Sequence, residues 1–214
     1  MNRNLYAQMT LCIVLVFAVS AACFGQVYAP QPFSADFSAT TQNGTKMIGK
    51  YYFALPSFRL DMNAQGRNIS SISNGSTQTT YMVMHDQHMY MEMPANQANP
   101  FMRQSPAVPH NFDPNNPCAW ASNAGTCKKV GTEMVNGRLC DKYQGTSKDG
   151  KETGTGWIDQ RLHFPIKYVD SNGGTVEFSN IKEGKPDASL FQPPTGYRKM
   201  NIPAGMMGGG RPPQ

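Results

Sequence analysis

The segment YMVMHDQHMYMEM, Tyr81 to Met93, concentrates the side chains of this sequence that are most capable of chemistry. It holds five methionines and two histidines within thirteen residues. Methionine thioethers and histidine imidazoles are both ligands for copper, so a metal site is one hypothesis. The same methionines would also suit an apolar binding surface, because an unbranched, polarisable side chain adapts to ligands of variable shape.

Strand geometry separates the two kinds of ligand in this segment. If the hairpin turns at Asp86-Gln87, alternate side chains point to opposite faces and the histidines lie away from the methionines. The predicted methionine face comprises Met82, Met84, Met89, Met91 and Met93. A mixed Met/His site is then excluded, and the copper hypothesis takes the form of a methionine-only Cu(I) site.

No catalytic or cofactor motif accompanies these residues. The four histidines occur without a G-x-S-x-G nucleophile motif, and no glycine-rich phosphate loop enters a helix. Cys118 and Cys127 lack the second closely spaced Cys/His pair that a zinc site requires. The sequence therefore predicts a protein that is not an enzyme, with no resident cofactor or metal.

The elements that would position the methionines are strands almost throughout. In FSADFSAT, apolar and polar residues alternate with the period of a half-buried strand. Turns of the Asn-Gly type begin at Asn43, Asn74, Asn136 and Asn172 and would join successive strands into a meander. No segment predicts a helix longer than two turns.

About ten predicted strands with one apolar face pose a packing problem. Such a sheet must curl, stack on a second layer, or keep its apolar face for a ligand. Short connections favour a mainly β fold, in which an antiparallel meander curls into a barrel or half-barrel. A closed sandwich, whose apolar faces pack on each other, is the alternative.

The chain is predicted to be one β domain with additions at both ends. Residues 1–25 have the layout of a secretory signal, and their apolar run is too short for a hydrocarbon core of roughly 30 Å. Cleavage before Gln26 is one outcome, and lipidation at Cys23, which would anchor the protein to a membrane, is the alternative. Residues 30–200 form the predicted domain, 94–125 a Pro- and Asn-rich insertion or lid, and 201–214 a disordered tail.

The charge of the chain argues against a nucleic-acid-binding protein. The net charge of +5 is spread thinly, without the basic cluster of a nucleic-acid surface.

An Asn136-Gly137 hairpin would pair Glu133 with Cys140 and place Cys127 roughly 20 Å from Cys140 along the ladder. After export to an oxidising compartment, the sequence predicts a disulfide between Cys118 and Cys127.

The opening and closing segments resemble one known family. FSADFSATTQNGTKMIGKYYFALPSFRLDM and GWIDQRLHFPIKYVDSNGGTVEFSNIKEGKPDASLFQPPTGYRKM are similar to the LolA/LolB-type superfamily of bacterial periplasmic lipoprotein carriers, and specifically to its outer membrane lipoprotein-sorting relatives. The more specific matches, in order and spacing, are Trp157, Asp159, Pro165, Asp187, Leu190-Phe191, Pro194 and Gly196-Tyr197.

This resemblance implies a periplasmic protein whose strongly curved antiparallel sheet forms an unclosed half-barrel and holds acyl chains of lipids or lipoproteins under a lid. The protein is expected to be a monomer, with envelope transport proteins as partners. Those carriers have helices that plug the cavity, whereas this sequence offers the insertion instead. Arg59 is expected to be a solvated strand arginine opposite the apolar face. The candidate lipid-binding face consists of Phe33, Phe37, Phe58, Leu60, Met82, Met84, Met89, Met91, Met93, Phe164 and Ile166. A third hypothesis is a structural or interaction module whose concavity is filled by residues 94–125.

Overall fold

The computed structural model describes residues 28–64, 66–94, 113–118, 124–151 and 153–200. The predicted export signal, Cys23, most of the 94–125 insertion and the tail after residue 200 lie outside these ranges. The strands are β1 (Phe33–Thr40), β2 (Lys46–Ala54), β3 (Ser57–Ala64), β4 (Arg67–Asn74), β5 (Thr79–Met84), β6 (Met89–Pro94), β7 (Ala124–Val135), β8 (Arg138–Ser147), β9 (Thr153–Asp159), β10 (Phe164–Asp170), β11 (Thr175–Glu183) and β12 (Arg198–Met200).

The twelve strands in the described ranges belong to one sheet, in the spatial order β12-β6-β5-β4-β3-β2-β1-β11-β10-β9-β8-β7. Neighbouring strands are antiparallel except β12, which runs parallel to β6. Because β12 and β7 do not pair with each other, the sheet is not closed, and the predicted unclosed half-barrel is confirmed. Helical structure in the described ranges is limited to two 3₁₀ turns, His85–Gln87 and Ala188–Phe191. Neither comes near the length or apolar character that a membrane-spanning helix needs.

Ring contacts between distant strands show how tightly the sheet curls. β1 and β11 separate β2 from β10, so a flat sheet would hold these two strands roughly 14 Å apart. The rings of Phe53 and Phe164, which come from β2 and β10, nevertheless lie 4.9 Å apart. Their common side is therefore concave, and we call it the inner face.

The β7–β8 turn seals one end of this concavity. β10 pairs with β11 only from Lys167 onward, so the first residues of β10, Phe164 to Ile166, are not paired with β11. The Asn136 side chain donates to the Phe178 carbonyl oxygen at 3.1 Å. Asn136 and Gly137 both have positive φ, as the predicted type I′ turn requires, and Glu133 faces Cys140 as expected.

The predicted disulfide between Cys118 and Cys127 is confirmed, with 5.7 Å between the two Cα atoms. It ties residues 113–118 to the beginning of β7. Cys140 is a free, fully buried thiol, and burial raises its pKa to about 12. Cys140 is thus part of the packed core rather than a reactive cysteine.

Removing the disulfide should destabilise the protein measurably. A double variant, Cys118→Ser with Cys127→Ser, is expected to lose about 2.5 kcal/mol of unfolding free energy, because a cross-link closing so short a loop restricts the unfolded chain by about that amount. Urea unfolding with and without reductant measures this loss. Reductant should shift the wild-type midpoint and leave the double variant unchanged. An equal shift in both proteins would contradict the assignment.

Candidate functional site

Register places the candidate lipid-binding residues on the inner face in three cross-strand rows. The first row, from β1 to β6, contains Phe33, Phe53, Phe58, Ser73, Thr80 and Met93. The second contains Ala35, Tyr51, Leu60, Ser71, Met82 and Met91. The third contains Phe37, Gly49, Met62, Ile69, Met84 and Met89. Phe164 and Ile166, from β10, pack with the residues that β1, β2 and β3 contribute to these rows.

The two ends of the inner face differ in accessibility. At the end formed by β1, β2, β10 and β11, the candidate side chains are fully buried against one another. This aromatic end contains Phe33, Phe37, Tyr51, Phe53, Phe164, Ile166 and Phe178. At the methionine end, formed by β5 and β6, Met82 and Met93 are buried but Met84, Met89 and Met91 are partly exposed. Of the candidate set, these three thioethers and the half-buried Phe58 are the side chains that solvent reaches.

The methionine hairpin has the predicted register. Met84 pairs with Met89 and Met82 with Met91, so the prediction that all five methionines share one face is confirmed. The turn is built from the 3₁₀ segment His85–Gln87, followed by His88 with φ of 52°. A hydrogen bond of 3.2 Å from the His88 amide to the His85 carbonyl closes it.

His85 is engaged on the opposite, outer face. Its Nε2 lies 2.6 Å from the Ser70 hydroxyl and its Nδ1 lies 3.0 Å from the Tyr197 hydroxyl. The expected separation of imidazoles from thioethers is therefore seen directly. In the part of the chain that the structure describes, no three His, Cys, Asp or Glu side chains are grouped to hold a metal ion.

The Ser70 hydroxyl bonds to both His85 and a carboxylate, yet the order differs from that of a catalytic triad. Ser70 lies between Asp61 and His85, whereas a triad places the histidine in the middle. An ionised carboxylate only accepts, so Ser70 donates its single proton to Asp61 and accepts from His85 Nε2. His85 Nδ1 then accepts from Tyr197. Because Ser70 is fully buried, this group joins elements together instead of presenting a nucleophile.

The expectation that Arg59 is solvated is wrong. Arg59 does lie on the outer face, but it is buried. Its guanidinium donates to Asp61 at 2.6 Å, to the Ser70 hydroxyl at 3.2 Å and to the Leu190 carbonyl at 3.1 Å. The physical reason is a covering segment: residues 184–200, which we call the C-terminal strap, cross the outer face and exclude water from this arginine.

The strap is fastened by apolar packing and by hydrogen bonds. Phe191 packs in a cluster with Ala54, Ile72, Tyr81 and Val83. Asn74 donates to the Phe191 carbonyl at 3.1 Å. Further along, the Arg198 amide donates to the His88 carbonyl at 2.9 Å, and β12 continues beside β6.

Several residues on which the family resemblance is based stabilise the strap and the turns of the sheet. Asp187 caps the 3₁₀ turn by accepting from the Ser189 amide, which lowers the pKa of its carboxyl. Phe191 and Tyr197 hold the strap to the sheet. Asp159 accepts from Arg138 and from two backbone amides at the β9–β10 turn. The spacing of these residues in the sequence therefore indicates the fold and does not identify a binding site. None of them lies on the accessible part of the inner face.

Two features escaped the sequence-based prediction. One is the second apolar surface, on the outer side of β4 and β5, which the strap covers. The sequence did contain a pattern that indicates this surface: Tyr81 and Val83 alternate with the methionines of β5 and so give that strand a second apolar face. The other is Tyr51, which lies in the second inner-face row beside Leu60. Strand periodicity in KMIGKYYFAL places it on the same side as Phe53.

No family model matches this chain, and no curated protein matches it. Among solved structures, it is similar to an uncharacterized conserved protein from Thermus thermophilus, with a TM-score of 0.51 and 13% identity over 80% of this chain and 90% of the other. It is also similar to MucB in complex with MucA(peri), with a TM-score of 0.51 and 16% identity over 80% of this chain and 57% of the other. The Pseudomonas aeruginosa MucA/MucB structure gives a TM-score of 0.50 and 18% identity over 76% of this chain and 55% of the other.

The chain therefore spans little more than half the length of the MucB chains that it resembles. At these identities the likeness shows a shared fold. It is consistent with the curved sheet that the resemblance to LolA/LolB-type carriers implied.

Proposed function

We propose that this protein binds acyl chains of lipids or lipoproteins on the inner face of its sheet and carries them in the cell envelope after export, without catalysing a reaction. One observation carries the proposal. The inner face extends from a buried aromatic end to a methionine end at which Met84, Met89 and Met91 are partly exposed, and its third row, from Phe37 to Met89, contains no polar side chain. Envelope transport proteins are the partners that we propose for delivery and receipt.

The methionine end has the physical properties that an acyl chain requires. Each methylene that leaves water for an apolar surface contributes roughly 0.8 kcal/mol. Flexible thioether side chains can repack around chains of different length or unsaturation. The hairpin pairs with β4 on one side and with β12 on the other, so the binding surface needs little ordering when the ligand arrives.

Native mass spectrometry of protein purified gently from its native compartment tests this proposal. We expect bound phospholipid or acylated peptide, and uptake of a fluorescent fatty acid by the delipidated protein. Protein that is consistently empty and takes up no fatty acid would contradict it. The same spectrum reports whether the mature chain begins at Gln26 or carries a lipid on Cys23.

Charged substitutions at the methionine end should impair uptake selectively. Met84→Glu with Met89→Glu is expected to weaken fatty-acid binding by roughly tenfold or more, because the chain would have to displace water from two carboxylates. Fluorescence titration measures the loss. Met134→Glu is the matched control, since Met134 is a solvent-exposed methionine on β7. Equal losses in both proteins would contradict the assignment.

A conservative variant separates the acyl hypothesis from the copper hypothesis. Leucine at positions 82, 84, 89 and 91 keeps an apolar surface but removes four thioethers, so acyl binding should persist. If this variant lost Cu(I) binding while its acyl uptake was unchanged, the methionine sulfur atoms would be Cu(I) ligands. Unchanged Cu(I) affinity would remove the hairpin from that role.

A further inference from the structure

Tyr51 presents an anomaly at the centre of the inner face. Its side chain is fully buried, and its hydroxyl makes no hydrogen bond to any residue that the structure describes. Buried hydroxyl groups almost always have a partner, because leaving one unpaired costs more than an average hydrogen bond contributes. Burial alone raises the pKa of this phenol well above its usual value, so the group is a neutral proton donor.

Packing explains why an aromatic ring occupies position 51, but it does not explain why that ring carries a hydroxyl group. Five phenylalanine rings surround it, with centroids between 5.0 and 6.4 Å away. They are Phe33, Phe53, Phe58, Phe164 and Phe178. Phenylalanine at position 51 would fill the same space without an unpaired hydroxyl. The oxygen therefore needs another explanation.

The position of Tyr51 connects it to the methionine end. Tyr51 shares a cross-strand row with Met82 and Met91, and the four strand spacings from β2 to β6 amount to roughly 19 Å. That distance is comparable to a long extended acyl chain. Of the five surrounding rings only Phe58 is partly exposed, and the fully buried Leu60 lies next to Tyr51 in the row, so a ligand from the methionine end reaches Tyr51 only if these side chains move.

We propose that the Tyr51 hydroxyl donates a hydrogen bond to the carbonyl oxygen of an ester- or amide-linked acyl group bound on the inner face. A neutral acceptor is favoured over an ionised carboxylate because five phenylalanine rings surround Tyr51, and burying a charge in such apolar surroundings is costly. This inference rests on the proposed function and adds to it a preference for acyl carbonyl groups over plain alkyl chains.

A pair of matched ligands tests the hydrogen bond. The probes are an acyl lysophosphatidylcholine and its alkyl ether analogue, which have the same chain length and headgroup but differ in the carbonyl oxygen. Wild-type protein should bind the ester roughly five- to tenfold more tightly than the ether. Tyr51→Phe should bind the ether with unchanged affinity and lose the preference for the ester.

The stability of the ligand-free variant supplies an independent readout. Tyr51→Phe should unfold at a midpoint equal to or above that of the wild type, because it removes an unpaired buried hydroxyl. A lower midpoint would show that the hydroxyl has a partner in the free protein, and would overturn the inference. So would a preference for the ester that persists in Tyr51→Phe, or equal binding of both probes by the wild type.

Failure of the proposed function would be distinguishable from these results. Wild-type protein that binds neither probe would contradict acyl binding altogether, and this inference with it. Binding of both probes without the Tyr51-dependent preference would contradict only the hydrogen bond.

Discussion

Replacing Asp159 with alanine is expected to lower the free energy of unfolding by about 3 to 5 kcal/mol, the typical result of removing one partner of a buried ion pair. The Asp159 side chain is 2% exposed and accepts hydrogen bonds from the Arg138 guanidinium. It also accepts from the Arg161 and Leu162 amides at 2.8 Å each. The alanine variant would leave a mostly buried guanidinium and two turn amides without this acceptor.

Urea unfolding of Asp159→Ala beside Arg161→Ala measures this effect. Arg161 forms an ion pair with Glu183, but its side chain is 77% exposed, so its removal should leave stability close to that of the wild type. Asp159→Asn should fall between the two, because the amide oxygen still accepts while the charge is lost. If Asp159→Ala were as stable as Arg161→Ala, the buried carboxylate would not be a main support of the β9–β10 turn.

Local features of the sequence were sufficient to predict register. An Asn-Gly turn determines which residues of its two strands face each other, so Asn136-Gly137 correctly predicted the Glu133–Cys140 pair. The same geometry kept Cys127 away from Cys140 and led to the confirmed disulfide. Strand periodicity likewise placed the methionines on one face. Each of these predictions depends on residues close together in the chain.

Long-range packing is what the sequence could not supply. Periodicity assigned Arg59 to the outer face, but its burial depends on Leu190, 131 residues further along the chain. The outer apolar cluster escaped prediction for the same reason, because Ile72 and Val83 need Phe191 to cover them. Nothing in the short RKM segment indicated that β12 would pair in parallel with β6.

Curvature decides which part of the candidate site can meet a ligand. All candidate residues lie on the predicted face, yet those of the aromatic end are in contact with one another because the sheet brings β2 against β10. Periodicity alone treats Phe37 and Met89 as equivalent. The structure separates a closed aromatic end from an accessible methionine end, and an exchangeable ligand first meets the methionine end.

Truncating Phe191 to alanine should detach the strap while leaving the sheet folded. Removing a buried phenylalanine side chain typically costs about 3 kcal/mol or more, since the surroundings collapse only in part. Here the loss would also free the Leu190 and Phe191 carbonyls, which accept from Arg59 and Asn74. Water could then reach the buried arginine.

Hydrogen exchange resolved along the chain distinguishes this local effect from general destabilisation. In Phe191→Ala, amides of the strap and β12 should lose protection first, and protection in β1 and β11 should persist under conditions below the unfolding midpoint. Leu190→Ala is the matched control, because Leu190 is only half-buried and its carbonyl remains. A uniform loss of protection in Phe191→Ala would mean that strap and sheet unfold as one unit. Selective loss would establish the strap as a separate layer that holds the methionine hairpin from the outer face.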